Sequence, residues 1–170
     1  MTQQTNSAIA ALEQRLQQLE DKNAISELKF RYLNACDEKK PEQVLECFAT
    51  GDIDINFGHI GAFNRREDFI ALYTEMACHE KIVDMHHAQN PIITLIDDNH
   101  AKAKICLRFQ SINTEEKTHL HMGGHYLDEY IKQDNQWLIV KSHFIVNSVS
   151  IADFSGEQTK VTYTGNRMPG

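Results

Sequence analysis

From residue 83 onward the apolar residues of this chain change period, from roughly 3.6 to 2. That switch constrains the fold more than any other feature. In "HAKAKICLRFQS" the residues Ala101, Ala103, Ile105, Leu107 and Phe109 face one way, and Lys102, Lys104 and Arg108 the other. Polar turns at "IDDNH", "NTEEK" and "QDNQ" separate this run from "PIITLI", "THLHMGGHYLDEYIK" and "WLIVKSHFIVNSVS". Four long antiparallel strands are predicted. Ahead of them the pattern reads as three helices with one short strand between, so the class is α+β rather than parallel α/β. One face of such a sheet can be solvated while the other curls over the helices.

The helical half divides further. Ile9, Leu12, Leu16 and Leu19 form an a/d stripe over about two heptads. A coiled coil wants three or four heptads, so this predicts an amphipathic helix packed on its own body or on a sister subunit. The stripe then slips to Ile25, Leu28, Tyr32 and Ala35, which predicts a kink near "EDKN" and a helix end near Cys36. Pro41 opens a short helix, "PEQVLECFA", with Val44, Leu45 and Phe48 inward. "GDIDINFG" reads as a brief strand. Asn64, with Glu67 three residues on, reads as an N-cap and capping box for a helix burying Phe69, Leu72, Tyr73 and Met76. Beyond residue 152 the chain turns polar and Gly-rich, as a flap, an oligomer arm or a disordered tail. The expected organisation is one domain over residues 1–152 and a tail over 153–170.

Charge narrows the partners. With 17 basic and 24 acidic residues the formal charge is −7, which argues against nucleic acid or an anionic membrane. No apolar run reaches the roughly 20 residues of a membrane span. "MTQQTNSAIAALEQ" lacks the basic region and apolar core of a secretory leader, so cytoplasm is the expected compartment. Cys36, Cys47, Cys78 and Cys106 are scattered without a CxxC pair and read as buried thiols.

Nine histidines invite a metal reading. His119 and His121 share a strand face with His125, as H-x-H sites do, yet Glu129 lies eight residues past His121 and the face also carries Leu127 and Ile131. A surface or interface cluster is the expectation, and no metal. "MGGHY" sits mid-strand without a phosphate-loop pattern, so Gly123 and Gly124 mark a bulge or tight bend. A G-x-S-x-G element and an electropositive cysteine are both missing, which speaks against nucleophilic catalysis. The adjacent His86 and His87 begin the sheet, and alternation sends one ring to each face. Asp37, at the end of a helix beneath that sheet, is unfavourably placed against the helix dipole. A partner would explain it: a carboxylate holding an imidazole makes a general acid/base.

The segments "LEQRLQQLEDKNAISELKFRYLNACDEKKPEQVLECFATGDIDI", "HHAQNPIITLIDDNHAKA" and "GGHYLDEYIKQDNQWLIVKSH" together resemble the SnoaL-like branch of the nuclear transport factor 2-like superfamily over residues 9–150. The resemblance implies a cone-shaped α+β barrel, a strongly bent antiparallel sheet around about three helices with a pocket at its open end. Asp37 and His86 fall on the aspartate and first histidine of scytalone dehydratase, and Tyr32 on the tyrosine five residues before the aspartate of bile acid dehydratase. The second histidine of scytalone dehydratase falls near Ser111, which leaves a generic acid/base pair. Asn56, Phe109, Ser111, Tyr126 and His143 are the implied pocket wall. The implied function is a cofactor-free lyase or isomerase, like a dehydratase or polyketide cyclase. It would act on a hydrophobic, oxygenated steroid- or polyketide-like ring, in a homodimer or homotrimer. The alternative is a non-catalytic ligand-binding or assembly domain on the same fold.

Overall fold

The computed structural model describes residues 2–170; Met1, where the expected domain begins, lies outside them. Helix α1 (Thr2–Asp37) runs unbroken for 36 residues. The expected kink near "EDKN" is absent, and the polar residues there show why. Asn23 Nδ2 donates to Glu27 Oε1 (2.8 Å) and Ser26 Oγ to the Lys22 carbonyl (3.0 Å), so each is satisfied one turn along the same helix. The slip in apolar register marks a change of surroundings. Residues 3–20 are exposed on every side, and burial starts at Asp21. From there Ile25, Leu28, Tyr32, Leu33 and Ala35 face the core.

The helix ends in a Schellman turn. Lys40 N–H donates to the Ala35 carbonyl (3.0 Å) and Lys39 N–H to that of Cys36 (3.2 Å), with Lys39 left-handed at φ 57°. Glycine usually fills that position. Here Lys39 Nζ donates to the carbonyls of His79 and Ile82, the latter at 2.6 Å, and ties the helix end to the chain entering the sheet. Pro41 then opens α2 (Pro41–Glu46), as expected.

Strand β1 (Asp54–Asn56), a 3₁₀ turn (Gly58–Ile60) and β2 (Ala62–Phe63) lead to α3 (Arg66–Ala77). The Asn64 capping box does not form. The N-cap is Arg65, with no side-chain cap bond, while the Asn64 carbonyl accepts from Ile53 N–H (3.0 Å). The helix start is held instead by Arg66 Nη1 donating to the Phe48 carbonyl (3.0 Å). Of the expected stripe, Phe69 is buried, Leu72 and Tyr73 half-buried and Met76 exposed.

Strands β3 (Ile82–Leu95), β4 (His100–Asn113), β5 (Thr118–Gln133) and β6 (Gln136–Asp153) form the four predicted antiparallel strands. The described sheet has seven strands, curved and unclosed, in the order β2-β1-β6-β5-β4-β3. It is mixed, because β1 joins β6 in parallel. β7 (Lys160–Gly165), from the polar tail, adds to the far end of β6. Opposite Gly123 and Gly124 the β5–β6 register slips, from Gly123↔Ser148 to Gly124↔Val146. A Cβ on Gly124 would lie 2.3 Å from the Ile145 carbonyl oxygen, so only glycine fits the bend. Cys36 and Cys47 are buried, Cys78 and Cys106 half-buried, and all four are free thiols.

The core closes between α1 and the inner sheet face, with Ile25, Leu28 and Phe48 against Ile105, Tyr130 and Ile139. An ion pair sits inside it. Lys29 Nζ lies 3.0 Å from Asp128 Oδ2, both side chains fully buried. The carboxylate also accepts from Tyr130 Oη and Ser142 Oγ, each at 2.8 Å. Lys29 makes no aligned hydrogen bond among the described residues, so Asp128 and the ring face of Tyr126, 3.3 Å from Nζ, are its compensation. Burial pulls the Lys29 ammonium below its ordinary pKa. Lys29→Met strands a buried carboxylate and is expected to lower stability by about 3–5 kcal/mol. Adding Asp128→Asn, which keeps an acceptor oxygen for one of the two hydroxyls and offers the other an amide N–H to accept from, should recover a large part. Urea unfolding of both variants checks this, and strictly additive losses would contradict it.

Candidate active site

Asp37 is the last residue of α1, and its carboxylate faces the first part of β3. Oδ2 accepts from the backbone N–H of His86 (2.9 Å) and Oδ1 from His86 Nδ1 (2.5 Å). A carboxylate facing a ring nitrogen at that distance accepts, so Nδ1 carries the hydrogen and Nε2 is the free nitrogen. Both side chains are half-buried, at 16% and 23% exposure. The other face of the imidazole lies against Phe109, ring centres 4.4 Å apart. The strand register makes this arrangement: His86 pairs with Phe109 and Asp84 with Ser111 across β3 and β4. All four side chains share the concave face, and His87 turns outward beside Arg108.

They open into a cavity of about 310 Å³ between α1, α3 and the sheet. Tyr32, His86, Phe109, Ser111 and Tyr126 line it. Asp37 does not line it; it stands behind His86. The helix therefore need not unwind at Cys36, and it continues through Asp37. Asn56 and His143 are also absent from the wall. Asn56 is exposed and its Oδ1 accepts from Gly58 N–H (3.0 Å), because alternation along β1 sends Ile55 inward. His143 is misplaced by a bulge. The register passes from Glu129↔Lys141 to Tyr130↔Ile139, which leaves Val140 as an extra residue on β6. Strict alternation from Trp137 and Ile139 would carry His143 inward. The bulge instead turns Ser142 and Phe144 in and His143 out, where Nε2 meets Asp54 Oδ1 (2.6 Å).

The SnoaL-like domain family matches residues 17–143. The chain belongs to the SnoaL-like domain family. Among solved structures, the fold is similar to a putative scytalone dehydratase from Novosphingobium aromaticivorans, at 18% identity and a TM-score of 0.70, over 91% of this chain and 92% of that one. LinA gives 17% identity and a TM-score of 0.73, over 84% and 95%. The type-3 LinA hexachlorocyclohexane dehydrochlorinase of Novosphingobium barchaimii gives 14% and 0.70, over 92% and 99%. At these identities the likeness is one of fold. No described helix is long and apolar enough to cross a membrane.

In this SnoaL-like domain the sequence reading missed Asp84, although its signal was there. It lies two residues before His86, and so on the same strand face. Asp84 lines the cavity, and its Oδ1 is buried with no hydrogen-bond partner among the described residues. Burial raises its pKa, and the nearby Asp37 adds to that, against lowering by Ser111 and His86. Burial also holds the hydroxyls of Tyr32 and Tyr126 protonated well above their usual range. Tyr73, read as core, lines the mouth and donates from Oη to the Cys36 carbonyl (2.9 Å). Burial pushes the Cys36 thiol up, which keeps it from acting as a thiolate. His119 and His121 pack ring to ring at 3.9 Å, and no metal-holding group of three His, Cys, Asp or Glu side chains occurs among the described residues.

Asp84 has a consequence for stability. A carboxyl whose folded pKa is raised keeps its proton when the unfolded chain has lost it, so its contribution is full below the unfolded value and declines as pH rises through the folded one. Asp84→Asn lacks that loss. The melting temperature of Asp84→Asn minus that of the parent should therefore increase between about pH 4 and neutrality. A pH-independent difference would contradict the assignment.

Proposed function

We propose that this SnoaL-like chain is a lyase or isomerase that needs no cofactor and removes a proton from carbon next to an oxygen-bearing ring position. The carrying observation is the bidentate hold of Asp37 on His86, which fixes the imidazole with Nε2 free beside an apolar cavity. Related folds that carry the names scytalone dehydratase and hexachlorocyclohexane dehydrochlorinase fit that reading, since both names describe eliminations.

In the proposed step His86 Nε2 takes the proton as the C–H bond breaks. The electron pair moves toward the ring carbonyl, where charge develops on oxygen. The hydroxyls of Tyr32 and Tyr126, kept protonated by burial, donate to that oxygen. For an elimination, the pair then forms the new C=C bond as the neighbouring C–O bond breaks. The carboxyl of Asp84, whose protonated form burial favours, supplies the proton that lets the hydroxyl leave as water. For an isomerisation, His86 returns its proton at another carbon. Asp37 touches no substrate; it positions His86 and stabilises the imidazolium that forms.

The cavity selects size. About 310 Å³ is at the low end of small-molecule sites, which suits a compact ring system of one or two fused rings over a larger one. Phe57, Phe69, Phe109 and Phe144 make its wall apolar.

The test needs no natural substrate. In deuterated water, the chain should speed exchange of the carbonyl-adjacent protons of compact cyclic ketones, α-tetralone among them, read by NMR. His86→Ala should lower that rate by about 10²–10⁴-fold with the fold intact. Tyr32→Phe should also lower it, by about 10²–10³-fold, as one donor to a developing charge is lost. Exchange at the parent rate in folded His86→Ala would overturn the assignment.

A further inference from the structure

The first half of α1 leaves an apolar seam that no other described residue of this chain covers. Ile9, Leu12, Leu16 and Leu19 are 48, 61, 57 and 66% exposed. They recur at alternating three- and four-residue steps, so Ile9 and Leu16 occupy heptad position a, and Leu12 and Leu19 position d. Continued, the same register puts Asn23 at a, Ser26 at d with its hydroxyl bonded to the Lys22 carbonyl, then Phe30, itself 41% exposed, at the following a. Between residues 19 and 28 the side chains that α1 buries in its own body, Asp21, Ile25 and Leu28, lie on the opposite side of the helix at about 100° per residue, while Lys29 and Leu33, at positions g and d of the register, are buried in the body and end the seam there. From Ile9 to Leu16 the seam is exposed, and Pro91, Ile92 and Ile93 of β3 stand beside its later part at Leu19, Lys22, Asn23 and Ser26. An isolated helix of this length gains little from propensity alone.

Charge identifies the occupant. Arg15 and Lys22 fall at position g, and Glu13, Glu20 and Glu27 at position e. In a parallel two-stranded coil, g of one helix faces e of the next heptad on the other, which sets Arg15 opposite Glu20 and Lys22 opposite Glu27. In an antiparallel pair g meets g and e meets e, so like charges would face each other. A single Asn at an a position, as at Asn23, is the device that holds a parallel two-stranded register. We propose that α1 pairs in parallel with α1 of a second copy of this chain, so that two SnoaL-like bodies hang on opposite flanks of a short coiled coil.

Sedimentation velocity of the full chain over a concentration series tests it. The expected result is a dimer that Leu12→Glu with Leu16→Glu converts to monomer, without change in the melting temperature of the body. A charge exchange then reads orientation. Glu20→Lys with Glu27→Lys, and separately Arg15→Glu with Lys22→Glu, should each weaken self-association, and an equimolar mixture of the two should restore a heterodimer. A monomer at every concentration, a trimer, a dimer that survives the leucine replacements, or a mixture that fails to re-associate would each overturn the proposal.

Discussion

One carboxylate joins the two halves of this fold. Asp37 ends the long helix, and its two oxygens take both the backbone N–H and the ring Nδ1 of His86 at the start of the sheet. The placement opposes the helix dipole, so the contacts that compensate it come from the strand. Lys39 adds a second link two residues on, through the carbonyls of His79 and Ile82. The helix end and strand start are thereby held as one unit, and the imidazole is oriented by main-chain geometry as well as by its own partner. An aromatic face at 4.4 Å closes the remaining freedom.

The rest of the cavity places polar groups where water is scarce. Tyr32 and Tyr126 are buried and stay protonated, as donors, and Lys29 lies under both rings, 4.9 and 3.3 Å from their centres. The cation is held in turn by Asp128, itself bonded to Tyr130 and Ser142. A buried pair of this kind is weak support for stability, but it fixes where the rings above it stand. Among the described residues Asp84 is the one acidic group on the wall, and burial raises its pKa. Asp37, bonded to His86, stands behind the imidazole, while Asp84 faces the cavity.

Much of this was legible in the sequence because period and turn chemistry are local. The four strands, the helix end beside Asp37 and the inward set Tyr32, His86, Phe109, Ser111 and Tyr126 follow from spacing together with the family resemblance. The failures have physical causes. Val140 adds one residue to β6, and a single extra residue exchanges the faces of everything after it, which carried His143 outward. Asn56 obeys simple alternation and points away from the cavity. The apolar slip near "EDKN" reads as a break only if one body packs both stripes, whereas the first stripe leaves the body altogether. Asn64 lost its cap role to a bond that Arg66, two residues on, donates to the distant Phe48 carbonyl. Asp84 was missed although the parity that selected His86 also selected it.

The central claim is that Asp37 works only through His86. The direct measurement is the rate of ketone proton exchange in Asp37→Ala, His86→Ala and the double variant, each confirmed folded. If the pair acts as a unit, the double variant is no slower than His86→Ala alone. Losses that multiply would show that Asp37 contributes independently of the imidazole, and would contradict the account.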